Sequence, residues 1–388
     1  MTTAIELSGP RPAARPPAMA PFRAEHVGSL LRPPALARAR ARLRAGKIGA
    51  AELQAVEDAE VAAAVRLQEE VGLRSISDGE LRRSYFHLDF LTQIEGVETY
   101  TDPSGAHFRT AGGQMFDFSP PKLRITSRLR RRGPIMRRDY QVLDEAVAAG
   151  GVPRITLPSP TMLLRGGRAA VDPAAYPDLE AFVDDLARVY REEIADLAAA
   201  GCRYLQLDDT NLAYLCDHHQ RDALRSAGQD PDHLPEAYAR LINRALASAP
   251  VDMVTAIHLC RGNFRSAFVA EGGYDPVAEV LFNQIEVDAF FLEYDDDRSG
   301  SFEPLRFLPP GKQVVLGLIS SKAPELESRD QVCRRIAAAA RRAPLEQLCL
   351  SPQCGFASTA EGNALSSDDQ RRKLELVVAC AREVWGEA

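Results

Sequence analysis

The stretch Ala256-Ile257-His258-Leu259-Cys260-Arg261-Gly262-Asn263 sets an imidazole and a thiol two residues apart. It closes an apolar run, Val251-Asp252-Met253-Val254-Thr255-Ala256-Ile257, whose character predicts a buried strand. Side chains at i and i+2 of a strand share a face, so His258 and Cys260 are expected side by side at the strand's end. A neutral imidazole and a thiolate placed this way suit zinc. Zinc takes more than two protein ligands, and two later strand ends offer the rest. They are Glu293, in Phe290-Phe291-Leu292-Glu293-Tyr294-Asp295, and Cys354, in Leu350-Ser351-Pro352-Gln353-Cys354-Gly355-Phe356.

Outward from this stretch, strand and helix patterns alternate. Phe22 to Leu30 reads as a short strand ending in a Gly28-Ser29 turn, and Leu73 to Glu80 as a second, ending in Asp78-Gly79-Glu80. Further strands are expected at Val152 to Thr161, at Cys202 to Asp209, through His258, through Glu293, and at Gln313 to Ile319 and Leu348 to Pro352. Helical periodicity falls between them: Ala35–Gly46, Ala51–Val71 with Gly72 as its cap, Asp139–Ala149, Asp178–Ala200, Leu234–Ala249, Pro276–Gln284, Arg329–Ala343 and Ser367–Trp385. Eight strands, mostly followed by helices, predict an α/β fold, a (β/α)8 barrel. Val97 to Pro134 interrupts the repeat, and Lys122 to Leu129 alternates as an exposed hairpin strand does. In such a barrel the active site lies at the strand C-ends, and Ser29, Glu80, Asp208, His258, Cys260, Glu293 and Cys354 all fall there.

Composition bounds the rest. A chain of 388 residues with net charge -7 has no basic stripe for nucleic acid, and no apolar stretch reaches the length of a membrane span. Residues 1–21 are rich in Pro and Ala, lack the apolar segment of a secretory signal, and are expected to be a disordered tail before a single barrel domain, 22–388. Seven cysteines without a dense framework fit reduced thiols and a cytoplasmic location.

Each candidate ligand also has a plain structural reading. A lone His-x-Cys is commonly core, since cysteine is among the most buried residues. Glu293 alone suits a barrel rim, and Cys354 alone suits packing behind Gly355. Of the other cysteines, Cys216 is the one competitor as a ligand. Glu80 and Asp208 suit either a cationic substrate group or a rim salt bridge with Arg82, Arg83 or Arg261. The arginines between Arg124 and Arg138 read as a solvated charge run or as a face toward an acidic partner.

With these residues in view, the chain resembles the cobalamin-independent methionine synthase family, and most closely its short single-barrel relatives. The likeness runs from about Phe22 to Trp385 and rests on His258-x-Cys260, Glu293 and Ser351-Pro352-Gln353-Cys354-Gly355. By that resemblance Zn²⁺ is bound by His258, Cys260, Glu293 and Cys354. Val27-Gly28-Ser29 matches the family's Ile-Gly-Ser turn, so Gly28 and Ser29 would hold a substrate carboxylate. Asp78-Gly79-Glu80 and Gln206-Leu207-Asp208-Asp209 match its acidic motifs, so Glu80 and Asp208 would hold an ammonium.

The implied activity is that of a 5-methyltetrahydropteroyltriglutamate–homocysteine S-methyltransferase-like enzyme of methionine biosynthesis. Three departures stand out. There is no room for the second barrel of the full-length synthase, Arg165 stands near the place of a folate-stacking tryptophan, and Lys322 replaces the family's acid histidine. The methyl donor thus stays open among 5-methyltetrahydrofolate, another small methylated compound and a methyl-donor protein. Alternatives are a zinc-dependent alkyl transfer to a different small thiol, as in epoxide opening, a non-catalytic metal-binding barrel, and a uroporphyrinogen-decarboxylase-like barrel.

Overall fold

The computed structural model describes residues 21–101, 106–110, 113, 115–118 and 121–388. The expected tail, 1–21, lies outside them but for its last residue. Six parallel strands run side by side in sequence order: Ile155–Pro158, Tyr204–Asp209, Val254–Leu259, Ala289–Glu293, Gln313–Ile319 and Leu348–Pro352. Two short staves close the ring. Ser75–Ile76 pairs in parallel with Val152–Pro153, the segment leading into Ile155. Ala24 bridges Leu350 in parallel, with Glu25 N donating to Leu350 O at 2.8 Å and Leu350 N to Arg23 O at 2.9 Å. Between these two staves, Ser77 Oγ donates to Gly28 O at 2.6 Å and His26 Nε2 lies 3.1 Å from Ser75 O. The result is a closed (β/α)8 barrel with an insertion.

The helices begin and end where local chemistry directs. Ala50–Val71 stops at Gly72, whose φ of 94° continues the chain in the left-handed region at little cost for glycine. Asp178 caps Leu179–Ala199 by accepting from Glu180 N, and Ser366 with Asp369 forms a capping box on Ser367–Trp385. The interior of the barrel follows from the strand period of two. Val254, Ala256, Ala289, Phe291, Tyr204 and Val315 pack together as one layer. Continuing on the same face, two residues past Ala256 and Phe291 and four past Tyr204, brings His258, Glu293 and Asp208 above this layer, at the C-terminal mouth.

Some expectations change. The strand expected over Phe22–Leu30 is reduced to the bridge at Ala24, because His26, Gly28 and Ser29 turn their hydrogen bonds toward neighbouring loops. The helix expected over Asp139–Ala149 spans Arg137–Ala146. A helix over His218–Ser226, capped by Asp217, buries none of its residues, so apolar periodicity had nothing to mark.

The insertion holds two ribbons. Lys122–Arg130 pairs antiparallel with Glu95–Tyr100, and Ala106–Thr110 pairs with both Met115–Phe118 and Ala267–Phe268. The second pairing brings the insertion onto the loop that follows His258 and Cys260. Five of the basic residues singled out between Arg124 and Arg138 are tied to carboxylates of this chain: Arg124 to Glu98, Arg128 to Asp185, Arg131 to Glu193, Arg132 to Glu95 and Arg138 to Asp58. Arg128 and Arg131 tie the insertion to the helix Leu179–Ala199, while Arg124 and Arg132 pair within its ribbon and stay solvent-exposed.

Candidate metal centre and amino-acid site

His258 ends the Val254–Leu259 strand, Glu293 ends Ala289–Glu293, and Cys354 follows Leu348–Pro352. Cys260 N donates to Asp209 O at 2.7 Å, which fixes the first turn after the strand. Arg261 N donates to Glu293 Oε1 at 2.8 Å. Tyr274 Oη accepts from Glu293 N at 2.9 Å, so the backbone carrying this carboxylate is held from both sides. Asn263 Nδ2 reaches Gly355 O at 2.7 Å and Ser358 Oγ at 3.1 Å, tying the two cysteine loops to each other.

One ligand atom from each of His258, Cys260, Glu293 and Cys354 lies within 4.8 Å of the others. The two sulfurs are 3.5 Å apart, against about 3.8 Å for two 2.3 Å bonds at a tetrahedral angle. All four residues are buried, and His258 Nδ1, His258 Nε2 and Glu293 Oε2 have no hydrogen-bond partner among the described residues. Buried polar atoms left so cost about 1–3 kcal/mol each, a cost that coordination would offset. The set of one nitrogen, two sulfurs and one oxygen fits zinc.

The protonation pattern agrees. The Cys260 thiol donates toward Cys354 and holds it well below the usual thiol range, while Cys260 itself is pushed well above it. Burial opposes a charge on His258, yet the neighbouring Cys354 lifts it to about 8, although no well-formed hydrogen bond joins the two. Burial raises Glu293, and the Lys322 ammonium counters it. Zinc takes thiolate sulfur and neutral imidazole nitrogen, so an ion bound here would displace the protons that these groups otherwise carry.

The other residues expected at this rim lie alongside. Ser29, Glu80, Phe86, Asp208, Cys354 and Ser358 line a cavity of about 20 Å³ that also reaches His258 and Cys260. That is room for one water. Glu80 sits at φ 54°, strained for a non-glycine residue. Its Oε1 accepts from Thr156 Oγ1 at 2.9 Å and lies 3.7 Å from Arg83 Nη1. Asp208 Oδ1 accepts from Gln206 Nε2 at 2.7 Å. Burial, with the Glu80 carboxylate beside it, pushes Asp208 up to about 7. Of the arginines considered as rim partners, Arg83 reaches Glu80, whereas Arg82 pairs with Asp58 and Asp139.

Gly28, at φ 136°, presents its open face to Thr156 Cγ2 and Glu80 Oε1. Ser29 is pinned by Phe356 N donating to its carbonyl at 2.9 Å. Gly355 is required beside it, since a Cβ there would stand 1.9 Å from Ser29 Oγ. Lys322 is buried, and its Nζ has no hydrogen-bond partner among the described residues. Cys216 stays out of the cluster, its thiol directed to Leu212 O at 3.7 Å.

Sequence reasoning missed Asn263, Thr156, Tyr274 and Arg298, the last 3.7 Å from Glu293 Oε2. Only Asn263 carried a signal, as the end of the His-x-Cys stretch. The others reach the site from distant elements.

A sequence profile described as "Cobalamin-independent synthase, Catalytic domain" matches residues 126–382. The "Uncharacterized protein YxjH" of Bacillus subtilis (strain 168) is 45% identical over 94% of this chain and 95% of that protein. A "Methionine synthase" of Pyrococcus abyssi is 26% identical over 85% of each chain. The crystal structure titled as a putative vitamin-B12 independent methionine synthase from Listeria monocytogenes superposes with a TM-score of 0.76 at 38% identity, covering 95% of this chain and 99% of that one.

Proposed function

This chain belongs to the cobalamin-independent synthase catalytic-domain family, and on that footing we propose that it transfers a methyl group to the thiol of homocysteine, forming methionine. The observation that carries the reading is the continuity of one buried cleft from the Cys260–Cys354 sulfurs to the carboxylates of Glu80 and Asp208 and to Ser29. An amino acid with a short thiol side chain needs these three subsites together. Two carboxylates suit its ammonium and free backbone N–H groups suit its carboxylate. An epoxide-opening transfer to a thiol without an amine would leave two buried carboxylates facing the one cation of Arg83.

His258, Cys260, Glu293 and Cys354 would hold zinc, which when bound supplies deprotonation of the substrate thiol. The chain's own residues do the rest. Ser29, Glu80 and Asp208 orient the amino acid so that its sulfur faces the cluster. Arg261 N and Arg298 steady the two oxygens of Glu293. Burial keeps water from competing for the methyl group. In the balanced reaction the thiol gives up its proton, a sulfur–carbon bond forms, and the bond from methyl to donor breaks. The electron pair departs with the donor, which takes up one proton. Lys322 stands beside the cluster as a hydrogen-bond donor to that departing group. We read residues 22–388 as one catalytic unit, and its thiolate ligands suit a reducing compartment. 5-Methyltetrahydrofolate is the first donor to test.

The experiment is elemental analysis with a methyl-transfer assay on wild type and Cys354→Ser. The expected result is about one zinc per chain and methionine formation from homocysteine, both lost in the variant. A zinc-free wild type with full activity would overturn the reading.

A further inference from the structure

The two cysteines of the cluster keep different company. Ser358 Oγ lies 3.8 Å from Cys354 Sγ, within hydrogen-bonding range of a sulfur. Among the described residues no hydroxyl stands so beside Cys260 Sγ, whose neighbour is Cys354 Sγ at 3.5 Å. Ser358 is also held where it is. Its carbonyl accepts from Phe86 N at 3.1 Å, and Ala360 N donates to Ser84 O at 2.8 Å. Between these bonds Thr359 bridges Tyr85 in an antiparallel pair. The loop after Cys354 is thus zipped to the segment Ser84–Phe86, and the Ser358 side chain is presented to the sulfur from a fixed backbone.

The direction of the proton follows from a third residue. Asn263 Nδ2 stands 2.7 Å from Gly355 O and 3.1 Å from Ser358 Oγ. A backbone carbonyl only accepts, so its nearness fixes which end of the Asn263 amide is nitrogen. The second N–H of that nitrogen then points to Ser358 Oγ and fills one of its lone pairs. The hydroxyl keeps one proton to give, and Cys354 Sγ is the acceptor beside it. A zinc-bound thiolate carries no proton of its own, so it can only receive. The order Asn263 to Ser358 to Cys354 therefore runs one way. It matters because a thiolate is the nucleophilic form of cysteine, and Cys354 lines the same cavity as Ser29, Glu80 and Asp208. A hydrogen bond to a ligand sulfur draws electron density from it and lowers its nucleophilicity.

We propose that Ser358 is a specificity-determining residue: its hydroxyl, oriented by Asn263, donates to Cys354 Sγ and keeps that ligand from taking the methyl group meant for the substrate thiol. The inference rests on the methyl-transfer reading and deepens it. In the side reaction so suppressed, a lone pair of Cys354 Sγ attacks the methyl carbon and a sulfur–carbon bond forms. The bond from methyl to its leaving group breaks, and the electron pair departs with that group. Cys354 becomes a neutral thioether, and the centre loses one of its two thiolates.

The test uses methyl iodide, which methylates thiolates whatever the natural donor is. Zinc-loaded full-length protein is treated with it in the absence of homocysteine. Peptide mass mapping then follows the methyl group on Cys354, with Cys260 of the same centre as internal reference. The ratio of Cys354 to Cys260 methylation should rise roughly two- to tenfold in Ser358→Ala, the rate equivalent of one net hydrogen bond. Ser358→Thr should stay near wild type, and Ser358→Val, equal to it in size but lacking the hydroxyl, should follow Ser358→Ala. With cobalt in place of zinc, the sulfur-to-metal charge-transfer band should move to longer wavelength in the Ala and Val variants, while the d–d bands of a tetrahedral ion stay in place. An unchanged ratio in Ser358→Ala and Ser358→Val, or a Thr variant that behaves as Val, would overturn the proposal. So would altered d–d bands in both hydroxyl-free variants, since they would mark a structural role. A shifted ratio in a protein that binds no homocysteine by calorimetry would uphold the guarding hydrogen bond and overturn the transfer reading.

Discussion

Asp208 and Glu80 are two acids forced to share one buried wall, and their repulsion tells what they await. Burial and Glu80 together lift Asp208 to about 7, so its proton is gained and lost around neutral pH. Below about 7 an incoming ammonium meets one carboxylate; above it, two. Affinity for methionine, which has no thiol proton to release, should therefore rise as pH increases from 6 to 8. Asp208→Asn should flatten that rise, as calorimetry across this range would show. A slope that survives the substitution would mean that another group titrates. Gly355 makes the second prediction at this scale. Gly355→Ala would drive a methyl group into Ser29 Oγ, so methionine should bind at least tenfold more weakly while the four ligand residues keep their zinc.

Among the elements, the insertion is held by a buried carboxylate. Glu193, on the helix Leu179–Ala199, is fully buried and accepts from Arg131 Nε at 2.7 Å and from Met136 N at 2.7 Å. Breaking a buried pair by removing one partner costs about 3–5 kcal/mol. Glu193→Ala should lose stability on that scale, read from the urea midpoint. Proteolysis should cut between Lys122 and Arg137 before the barrel opens. From sequence these arginines read as a solvated run, and Arg124, Arg128, Arg132 and Arg138 do face solvent; the buried pairing of Arg131 is not legible there because Glu193 lies far along the chain, on another element. Helix existence, by contrast, was legible almost everywhere. Periodicity and caps are local properties, and Gly72 marks an end that the structure keeps. The exceptions are the single turn Asn211–Tyr214 and His218–Ser226, the latter held by a cap and not by an apolar face.

For the whole molecule, closure of the ring is the event on which the site depends. Its first stave carries Glu25, which meets Arg154 at 3.1 Å with both side chains fully buried. Arg154 also lies over the rings of Tyr204 and Phe291, so this pair locks the floor beneath the metal layer. Arg154→Met alone should destabilise by about 3–5 kcal/mol, since it strands a buried carboxylate. Adding Glu25→Leu should recover much of that loss in a double-mutant cycle, measured by chemical denaturation.

By itself the sequence determined the repeat of strands and helices, and which strands end in His258-x-Cys260, Glu293 and Cys354, because period and residue type are written locally along the chain. It also placed Ser29, Glu80 and Asp208 at the same rim, since every parallel strand of such a barrel points its C-end the same way. What only the tertiary structure decided was distance and company. That the ligand atoms gather within 4.8 Å depends on the register between strands. That Arg298 and Tyr274 support Glu293, that Asn263 joins the two cysteine loops, and that the insertion folds back onto the loop after Cys260 all depend on closing a ring over hundreds of residues. Such contacts are set by packing between segments, and no local pattern encodes them.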